Sequence, residues 1–181
     1  MDSDYLKYVD SLNAAGLEQL MNAYGEDVWN YAFFLTKDLH MADDIAQDVF
    51  LRAYRGIAAF RGESSVKTWL FKITQRTAVN YRRSAFARKV LLIDTIRPNR
   101  TNRSAEAEFL DRMAADEIWR IILSLPVQFR EVLLLDLKHG MTIEDMAEII
   151  GVPAGTVKSR LYRARAKVTQ RLKEAAVHEQ T

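Results

Sequence analysis

Residues 142–168, TIEDMAEIIGVPAGTVKSRLYRARAKV, admit few folds. Thr142 and Asp145 form an S/T-x-x-D/E capping box that opens a helix. Gly151 supplies the positive φ of a tight turn, and a second helix begins near Pro153. Ala147 is small enough for two helices to approach closely, and Val157, six residues after the glycine, packs back between them. Two helices joined this way have the layout of a helix-turn-helix. At 100° per residue, Val157, Leu161, Ala164, Val168 and Leu172 fall within about 80° of one another and form the buried stripe. Thr156, Ser159, Tyr162, Arg163, Lys167 and Gln170 take the opposite face, with Lys158 and Arg160 at its flanks. Arg, Ser and an aromatic on one exposed face suit base-edge readout in duplex DNA, with Arg163 as the candidate for a bidentate guanine contact. Lys158, Arg160, Arg165 and Lys167 suit phosphates. A basic amphipathic helix that merely packs in a bundle is the competing reading.

The same helical period runs through most of the chain. Leu17, Leu20, Met21, Tyr24, Val28, Tyr31, Ala32 and Leu35 predict a helix over 14–36. A second is predicted over 41–58, with Ile45, Val49, Phe50, Ala53, Tyr54 and Ile57 inward. FRGESS interrupts, and Ser64 or Ser65 caps a third helix over 65–83, with Val66, Leu70, Ile73, Thr77 and Tyr81 on one stripe. Residues 84–110 have no long apolar period, and Pro98 disfavours helix at Arg97; they read as a flexible linker. Beyond it, helices are predicted over 106–124, 127–138 (ending at Gly140), 142–151 and 153–175. Phe109, Met113, Ile118, Ile121 and Ile122 would line the first of these.

With 7 Gly and 3 Pro in 181 residues and 49% hydrophobic side chains, the expected fold class is all-α: two small helical domains, 1–86 and 111–181, joined by a flexible linker at 87–110. The chain has no cysteine, which excludes disulfides, thiolate metal sites and a cysteine nucleophile. His40, His139 and His178 are too widely spaced for a zinc site, so no metal or cofactor is expected. No segment approaches the ~20 apolar residues of a membrane span. No signal peptide is visible in MDSDYLKYVD, so a cytoplasmic location is expected.

Charge is segregated. The net charge is only +2, yet residues 1–36 carry −5 and residues 38–51 carry −4, whereas 61–89 and 152–173 each carry +7. Two basic blocks point to two surfaces that meet a polyanion. Either block alone also fits a solvated helix face; the presence of both weighs against that. In the first block Phe60, Trp69, Phe71 and Tyr81 interleave with Arg61, Lys67, Lys72, Arg76, Arg82 and Arg83. Stacking faces beside cations suit single-stranded nucleic acid, and a loop at Gly62, Glu63 and Ser64 suits an unstacked base. At helical spacing, however, Trp69 and Phe71 fit core better than platform. Asp44 and Asp48, at i and i+4 with Gln47 beside them, make an acidic helix face suited to a basic partner protein; taken alone, that patch is equally an ordinary solvated face. No nucleophile–base constellation is present, so an enzyme is not expected.

The order ADDIAQDVFLRAYRGIAAFRGESSVKTWLFKITQRTAVNYRR then LPVQFREVLLLDLKHGMTIEDMAEIIGVPAGTVKSRLYRARAKV resembles the extracytoplasmic-function (ECF) sigma factors of bacteria, short members of the sigma-70 family. The resemblance covers nearly the whole chain in two blocks. It implies a sigma-2-like domain followed by a sigma-4-like domain. It implies that Asp43, Asp44, Gln47, Asp48 and Phe50 bind the β′ clamp helices of core RNA polymerase, with Asp48 standing where the family more often has Glu. It places melting and reading of the −10 element on Phe60, Arg61, Gly62, Ser64, Lys67, Trp69, Arg76 and Asn80; Arg76 replaces a commonly small polar residue. It places reading of the −35 duplex on Thr156, Lys158, Ser159, Arg160, Tyr162, Arg163 and Lys167. The apolar surface around Phe129, Val132, Leu133 and Leu135 would meet the β-flap. The implied partners are core RNA polymerase, promoter DNA and, in some relatives, an anti-sigma factor. The alternative is a stand-alone helix-turn-helix regulator with an N-terminal sensing or dimerisation domain.

Overall fold

A computed structural model describes residues 14–91 and 117–178, and every regular element among these described residues is helical. They divide into an N-terminal and a C-terminal unit, except that Ala147–Val152 group with the first. The first contains α1 (Ala14–Thr36), α2 (Leu39–Gly56), a 3-10 turn (Ile57–Ala59) and α3 (Val66–Leu91). The second is built from α4 (Glu117–Ser124), α5 (Val127–Leu137), α6 (Ile143–Ile150) and α7 (Ala154–His178).

Two residues turn α1 back on α2. Lys37 takes a left-handed φ of 59° and its N–H bonds the Phe33 carbonyl at 2.7 Å, closing α1 as an αL cap. Asp38 then accepts from the Met41 N–H at 2.9 Å, a side-chain N-cap. This cap starts α2 at Leu39, earlier than predicted, and the helix ends at Gly56. The core between the helices is Val28, Tyr31, Ala32, Phe34 and Leu35 against Ala42, Ile45, Val49, Phe50 and Ala53, all buried.

Ser65, rather than Ser64, caps α3: its Oγ accepts from the Thr68 N–H at 3.0 Å. The inward face of α3 includes Val66, Leu70 and Thr77 as expected, and also Phe71, Thr74 and Ala78. Ile73 and Tyr81 are only half-buried. Thr74 tolerates burial because its hydroxyl donates to the Leu70 carbonyl at 2.9 Å. Phe71 packs on Tyr31 with ring centroids 4.9 Å apart. The helix runs on to Leu91 instead of ending at 83, so residues 84–91 are helix and not linker. SAFARKVL contains neither glycine nor proline, and nothing in it stops a helix. Residues 92–116, which hold the rest of the expected linker with Phe109 and Met113, lie outside the described residues.

In the C-terminal unit α5 is buried almost all round. Phe129, Val132, Leu133, Leu134 and Leu135 are core, and so are Arg130 and Glu131. Arg130 Nη1 donates to the Leu125 carbonyl at 3.1 Å, which offsets part of its desolvation. Packed on α5 are Ile122 and Leu123 of α4 and Val157, Leu161 and Ala164 of α7. Ile118, expected inward, is exposed. Val168 and Leu172 are half-buried, so the buried stripe of α7 thins beyond Ala164.

Candidate nucleic-acid interface

Three surfaces follow from these helices. The first is the outward side of α2. Asp43, Asp44 and Gln47 are exposed and Asp48 is half-buried. Trp29 of α1 donates its indole Nε1–H to Asp43 Oδ1 at 2.6 Å, and Asp48 pairs with Arg52 at 3.1 Å. Phe50 is not on this side. It is 4% exposed because two residues past Asp48 a helix has turned ~200°. Its place is taken by Leu51 and Tyr54, 45% and 43% exposed. Each stands one heptad after a polar member of the face, Leu51 after Asp44 and Tyr54 after Gln47, and so within about 20° of it. The apolar period of the sequence places Tyr54 inward and leaves Leu51 unassigned; the heptad offset is the signal that locates both. From α3, Tyr81 borders the same acids. Burial first, then the charges of Asp48 and Asp44, push its phenol above the ordinary tyrosine range, against a smaller lowering by Arg52. The face is therefore two exposed apolar side chains within a carboxylate field.

The second surface lies along α3 and the loop before it. Phe60 is buried and packs on Trp69 with ring centroids 5.0 Å apart and planes inclined at 42°. It supports Trp69 and does not itself present a face to a ligand. Gly62 takes a φ of 68°, the left-handed region that makes glycine the natural residue for this turn. Arg61 is exposed and stands 4.0 Å from Glu63. Trp69, Arg76 and Asn80, at i, i+7 and i+11, lie within about 40° on the helix; Trp69 is half-buried and the other two are exposed. Lys67 is about 160° away from Trp69. Its ammonium pairs with Asp27 of α1 at 2.8 Å and sits 5.7 Å from the Phe71 ring centroid. The structure thus joins Phe60, Trp69, Arg76 and Asn80 and sets Lys67 apart from them.

The third surface is the outer face of α7. The capping box is complete: Asp145 N–H donates to Thr142 Oγ1 at 3.0 Å, and Thr142 N–H to Asp145 Oδ2 at 3.3 Å. Gly151 has φ 74° and its N–H bonds the Ala147 carbonyl at 2.9 Å. Past Pro153, Lys158, Tyr162 and Arg163 are exposed, while Thr156, Ser159 and Arg160 are half-buried. Tyr162 is 78% exposed. Two expected phosphate ligands lean back toward α5. Lys167 Nζ is 5.8 Å from the Phe129 ring centroid, and Arg165 Nη2 is 2.7 Å from Asp136 Oδ2. Lys167 therefore sits at the flank of the face and not at its centre. The apolar side chains expected to meet the β-flap, Phe129, Val132, Leu133 and Leu135, are all core.

Among the described residues, no group of three or more His, Asp or Glu is placed to hold a metal ion, and no helix is long and apolar enough to cross a membrane.

Comparison with known proteins gives the same division. Residues 20–87 match the family model for Sigma-70 region 2, and residues 115–168 that for Sigma-70 region 4. The RNA polymerase sigma factor YlaC of Bacillus subtilis is 32% identical over 176 residues, covering 96% of this chain and 99% of YlaC. The ECF RNA polymerase sigma factor SigC of Mycobacterium tuberculosis is 35% identical over 161 residues, 84% of this chain and 81% of SigC. In fold, the chain is similar to the sigma factor RpoE solved with the anti-sigma factor NepR from Bartonella quintana (TM-score 0.68, 23% identity, 86% and 96% of the two chains). It is also similar to CnrH solved with the cytosolic domain of CnrY (TM-score 0.67, 24% identity, 94% and 96%). With both units matched in order and relatives aligned almost end to end, the chain belongs to the sigma-70 family, as an RNA polymerase sigma factor of the ECF type.

Proposed function

We propose that this sigma factor, which binds core RNA polymerase and directs promoter-specific initiation, divides that work among the three surfaces. The outward side of α2 docks on core polymerase through Asp43, Asp44, Gln47 and Asp48 around Leu51 and Tyr54. Apolar anchors ringed by charge favour affinity at the centre and steering at the rim. Trp69, backed by Phe60 and flanked by Arg61, Arg76 and Asn80, receives the melted −10 strand, with Gly62 and Ser64 shaping the loop that accepts an unstacked base. Thr156, Ser159, Tyr162 and Arg163 read the −35 duplex in the major groove, and Lys158 and Arg160 hold its phosphates. The domains carrying these roles are assigned to residues 1–86 and 111–181.

Each DNA contact is modest and salt-dependent by itself. Holding both on one polymerase raises effective concentration, which is where selectivity arises. Unstacking at −10 is offset by base capture. The chain performs no covalent step and acts in the cytoplasm with the polymerase. An anti-sigma factor, the kind of partner with which RpoE was solved, would compete with polymerase for these surfaces.

The observation that carries this reading is the exposure of Leu51 and Tyr54 within the Asp44–Gln47–Asp48 face, in the same chain as a complete helix-turn-helix. Co-elution with core polymerase is the test. The wild-type chain is expected to co-elute, and Asp48→Arg and Leu51→Asp to lose most of the complex while remaining folded. Undiminished complex with both variants would move the docking face elsewhere.

A further inference from the structure

Asp136 stands in the last turn of α5, where the helix dipole disfavours a carboxylate, and no basic residue shares that turn. Helix stability therefore does not account for it. Its side chain is 23% exposed and reaches across to α7, where Oδ2 meets Arg165 Nη2 at 2.7 Å. Arg165 follows Lys158 by one heptad, so the two cations lie within about 20° of each other along the same flank of α7. Asp136, Lys158, Leu161, Tyr162 and Arg165 line one groove beside the outer face of that helix. The carboxylate thus occupies the guanidinium at the edge of the basic surface.

We infer that Asp136 is a negative determinant of DNA affinity: it withholds Arg165 from a backbone phosphate and leaves Lys158 to make the phosphate contact on that flank. A carboxylate and a phosphate compete for the same fork of donors. The consequence is a helix-turn-helix with restrained affinity for any duplex, which increases its dependence on polymerase for stable binding. This inference rests on the reading of α7 as the duplex-facing helix.

The test is a salt titration of the full chain on a short mixed-sequence DNA duplex, with Asp136→Asn, Arg165→Gln, the double variant and Arg163→Gln. Asp136→Asn frees one cation, so the log–log salt slope is expected to steepen by about 0.9, an extra loss of about 3.5-fold in affinity between about 50 and about 200 mM salt. Arg165→Gln alone is expected to keep the wild-type slope, and the double variant to return to it. A slope unchanged by Asp136→Asn overturns the inference, as does a steepening that persists in the double variant, since that would be plain charge repulsion. If Arg163→Gln weakens binding while Asp136→Asn does nothing, only the inference fails. If neither changes binding, the duplex-facing reading of α7 fails as well.

Discussion

Lys67 and Asp27 face each other at 2.8 Å across α3 and α1, on the side of α3 turned away from Trp69, Arg76 and Asn80. With both side chains 28% exposed, the pair is a partly shielded tie between two helices of the N-terminal unit. Lys67→Ala is expected to lower stability by about 1 kcal/mol and to leave binding of a single-stranded oligonucleotide unchanged. Arg76→Ala is expected to do the reverse. Thermal unfolding and fluorescence anisotropy on the two variants separate the roles; equal losses of DNA binding would return Lys67 to the DNA face.

Phe50 and Leu51 are neighbours in sequence with opposite duties. Phe50→Ala empties a core site and is expected to cost about 3–5 kcal/mol. Leu51→Asp on the exposed side is expected to change stability by no more than about 0.5 kcal/mol while weakening polymerase binding at least tenfold. Denaturant unfolding read beside a polymerase binding curve checks both halves. Loss of stability in Leu51→Asp would place that side chain in the core.

Arg163→Ala is expected to cost about 1–3 kcal/mol of discrimination between a −35 duplex and a mismatched one, with no change in unfolding. Gly151→Ala tests the turn beneath it. An added Cβ meets nothing within 4 Å, so the cost is that of the left-handed backbone alone, about 1–2 kcal/mol. A neutral Gly151→Ala would mean that the turn relaxes out of the left-handed region.

Tyr81 gives a pH handle. Its phenol titrates above the ordinary range in the folded chain, through burial and then Asp48 and Asp44. A raised folded pKa means that the unfolded chain releases this proton first. The associated stability is therefore complete below the unfolded tyrosine value near 10 and is lost as pH climbs through the folded value. The late-ionising part of an ultraviolet difference titration should shrink in Tyr81→Phe and move down in Asp48→Asn. Titration of Tyr81 at the ordinary value in the wild type would remove it from the acidic face.

The helix-turn-helix was legible because its signals are local: Thr142, Asp145, Gly151 and Pro153 act within a few residues of where they stand. The phase of α2 was less so. Phe50, Leu51 and Tyr54 are all apolar, and only the packing of α1 decides which of them face inward. The burial of Thr74 was hidden because a hydroxyl bonded to its own helix counts as apolar, which composition does not reveal. The end of α3 lies beyond the sequence expectation because a polar, arginine-rich stretch without glycine or proline remains a good helix. Lys67 reads as a −10 contact and Arg165 as a phosphate ligand in the sequence because their carboxylates, Asp27 and Asp136, are distant in sequence and adjacent only in the fold.

The most direct measurement is a permanganate footprint of promoter DNA with core polymerase and this chain, added together and separately. Reactive thymines at the −10 region are expected only with both present, and they should vanish with Asp48→Arg and fade with Trp69→Ala. Strand opening by core polymerase without the chain, or by the chain without core polymerase, would contradict the division of labour described for its two helical units.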